Sequence, residues 1–105
     1  MTDKDRWIAE KFKRLVSLRL RIQEMRVFGS RARGDASADS DLDILVVLPA
    51  TDRTAEKYIS DCAWEAGYPD DVVVVPVVLS TEDVQDSPLR ASVFLQHIRT
   101  EGVLV

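Results

Sequence analysis

The stretch from Gly29 to Val47, GSRARGDASADSDLDILVV, constrains this chain more than any other. A Gly-Ser pair is followed after ten residues by Asp41-Leu42-Asp43. Met25, Val27 and Phe28 lead into Gly29, and Ile44, Leu45, Val46, Val47 and Leu48 run on to Pro49, so the pattern predicts two strands flanking a polar loop. At Gly29 the missing Cβ permits a sharp turn and close approach of a ligand to the main chain. If Ser30 to Arg33 opens a short helix, its unsatisfied N–H groups and positive dipole end face one point, an anion site to which Ser30 adds a hydroxyl. Arg31 and Arg33 are placed to add charge-assisted bonds to phosphate oxygens. A triphosphate is the natural ligand.

Alternate residues of a strand share a face, so Asp41 and Asp43 project together while Leu42 turns away. Two like charges held close repel unless a cation neutralises them, and an oxygen-only ligand set suits Mg²⁺ or Mn²⁺. Such ions bridge phosphate oxygens and stabilise charge on departing pyrophosphate, which is nucleotidyl-transfer chemistry. Each half alone is weak, because Gly-Ser is usually a turn and Asp-x-Asp usually solvates a strand end. Their combination is much more specific.

The combination resembles the signature of the nucleotidyltransferase superfamily related to DNA polymerase beta. Gly29, Ser30, Asp41 and Asp43 match it, and Ala32, Gly34 and Ser40 fit its usual wording. At 105 residues the chain looks like the minimal nucleotidyltransferase (MNT) group, many members of which are antitoxins paired with a helical HEPN toxin. The resemblance implies an α/β (α+β) nucleotidyltransferase fold, a small mixed β-sheet flanked by helices, with residues 1–105 forming a single minimal domain. It implies ATP as donor with Mg²⁺ (or Mn²⁺), and transfer of AMP to a hydroxyl, a tyrosine of a cognate HEPN toxin. Asp41 and Asp43 would hold metal; Gly29, Ser30, Arg33 and Ser40 would hold the nucleotide. A partner or an oligomer is expected to complete the site.

Active members use a third carboxylate on a neighbouring strand. Asp71, which precedes four valines and would share a face with Val73 and Val75, is the favoured candidate for metal binding and acceptor activation, with Asp70 second. An alternative alignment anchored on Pro76 to Ser80 puts Val73 at that position. The bland reading of Asp70-Asp71 is a polar turn after Gly67 and Pro69. Two rival functions follow: an antitoxin that neutralises its partner by binding alone, and, ranked last, transfer to a small molecule such as an aminoglycoside.

Composition narrows the setting. Residues 1–34 hold ten Lys/Arg against four Asp/Glu, a balance of +6, and residues 35–105 hold four against fourteen, a balance of −10, summing to −4. The basic third reads first as a solvated helix face, and direct nucleic-acid binding is not expected. Cys62 is the only cysteine, so neither an internal disulfide nor a thiolate cluster is available, and a reducing cytoplasm suits the chain. No apolar run approaches the roughly twenty residues of a membrane span.

The remaining pattern predicts an amphipathic helix over about residues 4–20, with Ile8, Phe12, Leu15, Val16 and Leu20 inward and Trp7 at the rim. The loop from Asp35 to Ser40 reads as poorly packed, ordering when nucleotide binds. Thr51 or Asp52 caps a helix to about Ala66 that buries Tyr58, Ile59, Cys62 and Ala63, and Gly67 ends it. Val72 to Val78 reads as a strand buried on both faces, with Pro76 marking an edge or bulge. Ser80 and Asp83 signal a helical turn over Thr81 to Gln85, and Ser87-Pro88 opens a last helix with Leu89, Val93, Phe94 and Ile98 inward. Gly102 stops that helix, and the apolar tail adds a strand. Cys62 is read as core and His97 as a surface residue.

Overall fold

A computed structural model describes residues 1–88 and 92–105. Helix α1 (Asp3–Ser17) begins at a capping box in which Thr2 accepts from the Asp5 N–H and Asp5 accepts from the Thr2 N–H. It buries Ile8, Ala9, Phe12 and Val16 and ends earlier than the periodicity suggests. Strand β1 (Glu24–Phe28) leads into the one-turn helix α2 (Ser30–Arg33), and β2 (Leu42–Leu48) follows the loop. Helix α3 (Arg53–Gly67) is capped by Asp52, whose carboxylate accepts from the Ala55 N–H at 2.8 Å. A 3₁₀ turn (Tyr68–Asp70), β3 (Val74–Ser80), α4 (Thr81–Gln85), α5 (Val93–Glu101) and β4 (Val103–Leu104) complete the order.

The sheet runs β3-β2-β1-β4 and is mixed, with β2 parallel to β3 and antiparallel to β1. The expected tail strand is β4, antiparallel to β1. Strand β2 lies at the centre, and its two faces divide the core. Leu42, Ile44, Val46 and Leu48 pack with Ile8, Phe12, Ile59 and Ala63 of α1 and α3, whereas Leu45 and Val47 pack with Val84 of α4 and Leu95 and Ile98 of α5. Helices therefore cover both faces, as strands apolar on both sides require.

Strand β3 departs from its expectation of burial on both faces. It is an edge strand, most of its residues are half-buried, and Val73 just before it is exposed. The Leu42 N–H donates to the Val73 carbonyl at 2.8 Å, so odd-numbered residues bond to β2 and Pro76 turns its nitrogen, which has no hydrogen, to the open edge. Gly67 ends α3 as expected, with φ −92°, and a Cβ there would meet the Val72 carbonyl at 2.1 Å, so the glycine admits a close return of the chain.

In α5 the cap is Ser92, not Ser87, which instead donates to the Asp83 carbonyl at 2.6 Å. With that start Leu95 and Ile98 face the core, and Val93 and Phe94, expected inward, are exposed. Phe94 packs edge-on against Phe28 with ring centroids 5.9 Å apart. Leu89 lies outside the described residues. Cys62 is buried on α3, and burial pushes its thiol up. His97 and Trp7 are exposed. No helix among the described residues is long and apolar enough to cross a membrane.

Candidate functional site

Strand β1 ends where Gly29 takes φ +76°, a conformation that L side chains rarely adopt, and swings the chain into α2. The first intrahelical bonds there run from the Arg33 N–H to the Gly29 carbonyl and from the Gly34 N–H to the Ser30 carbonyl. The amides at the start of the turn precede that ladder and have no intrahelical acceptor. Antiparallel pairing sets Asp43 beside Phe28, and a Cβ on Gly29 would lie 2.5 Å from Asp43 Oδ2. The Gly-Ser turn and the second acidic residue are thus brought together, on the sheet face that carries Leu45 and Val47. Burial, and then the negative charge of Asp41, push the Asp43 carboxyl above the usual carboxylate range, with Arg33 opposing them.

The two arginines differ from one another. Arg31 is not available to phosphate: it is buried, and its Nη1 donates to Asp5 Oδ1 at 2.7 Å. Its Nε and Nη2 donate to the Ser40 carbonyl at 2.9 and 2.7 Å, and Nη2 also reaches the Ala38 carbonyl at 3.2 Å. The loop expected to be loosely packed is therefore tied to α2. Arg33 is exposed beside the acidic pair, 3.3 Å from Asp35 and 3.9 Å from Glu101 at the end of α5. Ser40 uses its hydroxyl inside the loop, where Oγ accepts from the Ser37 N–H at 3.0 Å. Asp5 and Glu101 had no signal in the local sequence, since each reaches the site through tertiary packing.

Register places the candidates for a third carboxylate. Asp43 pairs with Val75, and the Leu42–Val74 pairing puts Val73 across from Asp41. Asp71 stands two residues further out with φ +56°, before the strand begins, and therefore does not share the face of Val73 and Val75. It lines a cavity between α3 and the β3 edge with Ser60, Ala63, Trp64 and Tyr68. Asp70 is 3.8 Å from Lys11 of α1. Asp43 thus lies against Gly29 and within electrostatic reach of Asp41 and Arg33, and among the described residues no three acidic, His or Cys side chains form a ligand group.

The pair suits a hard divalent ion that is shared with a phosphate-bearing ligand. Mg²⁺ is commonly held by one or two carboxylates, with water and substrate phosphates filling the octahedron. The raised Asp43 carboxyl marks two like charges confined in a partly dry place, an arrangement a cation relieves.

A mixed four-stranded sheet with this loop against its central strand defines a nucleotidyltransferase domain. The family model of that description, nucleotidyltransferase domain, matches residues 5–99, and the chain belongs to this family. Among curated proteins none matches the sequence. Solved structures agree in fold. A chain of a toxin–antitoxin structure with AMP-PNP is 24% identical at a TM-score of 0.64, covering 91% of this chain and 70% of that one. A putative nucleotidyltransferase from Sulfolobus solfataricus is 22% identical at 0.60, covering 96% and 80%. A chain from a complex of tri-AMPylated Shewanella oneidensis HEPN toxin with MNT antitoxin is 21% identical at 0.58, covering 95% and 70%.

Proposed function

We propose that this protein binds ATP with Mg²⁺ or Mn²⁺ and transfers AMP to a tyrosine hydroxyl of a HEPN-domain toxin, acting as its antitoxin. The observation that carries the reading is the apposition of Asp43 to Gly29, which sets one carboxylate of the acidic pair against the Gly-Ser turn. Support for the nucleotide and the partner comes from relatives of the same fold, one crystallised with AMP-PNP and one with an AMPylated toxin.

Asp41 and Asp43 would hold the ion, which when bound neutralises phosphate charge and stabilises the leaving pyrophosphate. Gly29 gives the triphosphate room to approach the main chain, and Ser30 and Arg33 donate to its oxygens. Arg31 donates to the carbonyl of Ser40, the residue before Asp41. The acceptor oxygen would form its bond to the α-phosphorus as the bond to pyrophosphate breaks, its hydroxyl proton passing to solvent, and positioning supplies most of the rate.

A second reading has its own observation: Val73 stands across from Asp41 where a third carboxylate would belong. On that reading the protein covers its partner without modifying it. Incubation of the toxin partner with ATP labelled in the α-phosphate separates the two. Label on the toxin, lost in Asp41→Ala/Asp43→Ala, supports transfer; an unlabelled complex that survives gel filtration supports binding alone.

A further inference from the structure

Arg31 and Asp5 are the two charged residues buried in the described chain, at 7% and 2% exposure. A buried ion pair rarely stabilises a fold more than apolar packing of the same volume. Its hydrogen bonds show a different use. Four donors of the guanidinium are engaged: one to Asp5, and three to the carbonyls of Ala38 and Ser40. Ser40 immediately precedes Asp41, so the arginine grips the backbone that carries the first acidic residue. Asp5 is itself fixed by the capping box of α1, where its other oxygen accepts from the Thr2 N–H at 3.2 Å. The chain of contacts runs from the α1 N-terminus through Asp5 and Arg31 to the Asp41 loop.

We propose that Asp5 and Arg31 are positioning residues: a buried latch that holds the loop 35–40 closed and sets the separation between Asp41 and the Gly29-Ser30 turn before any ligand arrives. The ligand half of this inference rests on Asp41 and Asp43 being the ion-binding pair; the loop half does not. A planar fork is what the task requires, because a lysine ammonium lacks the geometry to hold Asp5 and two carbonyls together. Groups that orient metal-binding side chains typically change affinity 10–100-fold when removed.

The test compares wild type with Asp5→Leu/Arg31→Met, which fills the space with apolar side chains, and with Arg31→Lys, which keeps the charge. Backbone hydrogen exchange over residues 35–41 and the Mn²⁺-dependent part of ATP binding by calorimetry are measured on each. The latch is expected to give faster loop exchange in both variants, and about ten-fold or greater loss of the Mn²⁺-dependent affinity with ATP binding in chelator unchanged. A merely structural pair would change melting temperature without that selective loss. Wild-type loop protection and Mn²⁺ dependence in either folded variant overturns the proposal. If wild type shows no Mn²⁺-dependent ATP binding, the ion-site reading fails, and loop exchange alone decides the latch: faster exchange supports it and unchanged exchange overturns it.

Discussion

Gly29, just past the end of β1, and Asp43 on β2 lie so close that any side chain on the glycine would meet the aspartate, with Cβ 2.5 Å from Oδ2. The glycine is therefore fixed twice, by its positive φ and by the carboxylate beside it.

Gly29→Ala should cost about 1–3 kcal/mol of stability through backbone strain and displace Asp43 from the turn. Gly34→Ala is the control: φ is +84° there, yet nothing lies within 4 Å of an added Cβ. It should cost about 1–2 kcal/mol and leave Mn²⁺-dependent ATP binding intact. Urea unfolding and calorimetry on the pair check both statements.

The Asp43 carboxyl, raised by burial and then by Asp41, favours its protonated form in the folded chain. The folded state then binds more protons than the unfolded one from about pH 4 up to the raised value, so stability of the ion-free protein falls as pH rises through that window. Asp43→Asn should flatten this part of the curve, and added Mn²⁺ should oppose the fall, because the ion takes the ionised form. Thermal melts across acidic to neutral pH, with chelator and with Mn²⁺, give the comparison.

Glu24 has the opposite sign. Burial pushes its carboxyl up, but hydrogen bonds from Arg99 at 2.8 Å and Arg26 at 2.6 Å outweigh this and hold it below the usual range. Its stabilisation is present above the unfolded value and lost as pH falls through the lowered one. Glu24→Gln should cost about 1–2 kcal/mol at neutral pH and little in acid, since charged hydrogen bonds joining α5 to β1 are weakened. Urea titrations at the two pH values measure it.

Val73→Asp supplies a carboxylate across from Asp41. Val73 is 62% exposed, so the exchange should cost no more than about 0.5 kcal/mol. Mn²⁺ should bind about ten-fold more tightly, on the scale set by ligand-shell changes. Calorimetric titration of Mn²⁺ into the variant and wild type reports the difference.

How much of this was legible in the sequence depended on how local the cause was. The Gly-Ser turn, the caps at Asp52 and Ser80 and the continuous apolar run of β2 are contained within a few residues, and each stands where the pattern put it. Asp5 and Arg31 are 26 positions apart, and no local rule joins them. The place of Asp71 turned on the register between β2 and β3 and on one left-handed residue, neither of which periodicity reports. Val93 and Phe94 followed from where α5 begins, which Ser92 decides. The two faces of β2 read alike as apolar, and only the paths of α3 and α5 distinguish them.

The most direct measurement is the intact mass of the HEPN-domain toxin partner after incubation with this protein, ATP and Mg²⁺, beside the Asp41→Ala/Asp43→Ala control. A mass gain of one or more AMP groups, absent from the control, is the expected result. A toxin that stays unmodified while still co-purifying with the wild-type protein would contradict transfer and leave an antitoxin that works by binding.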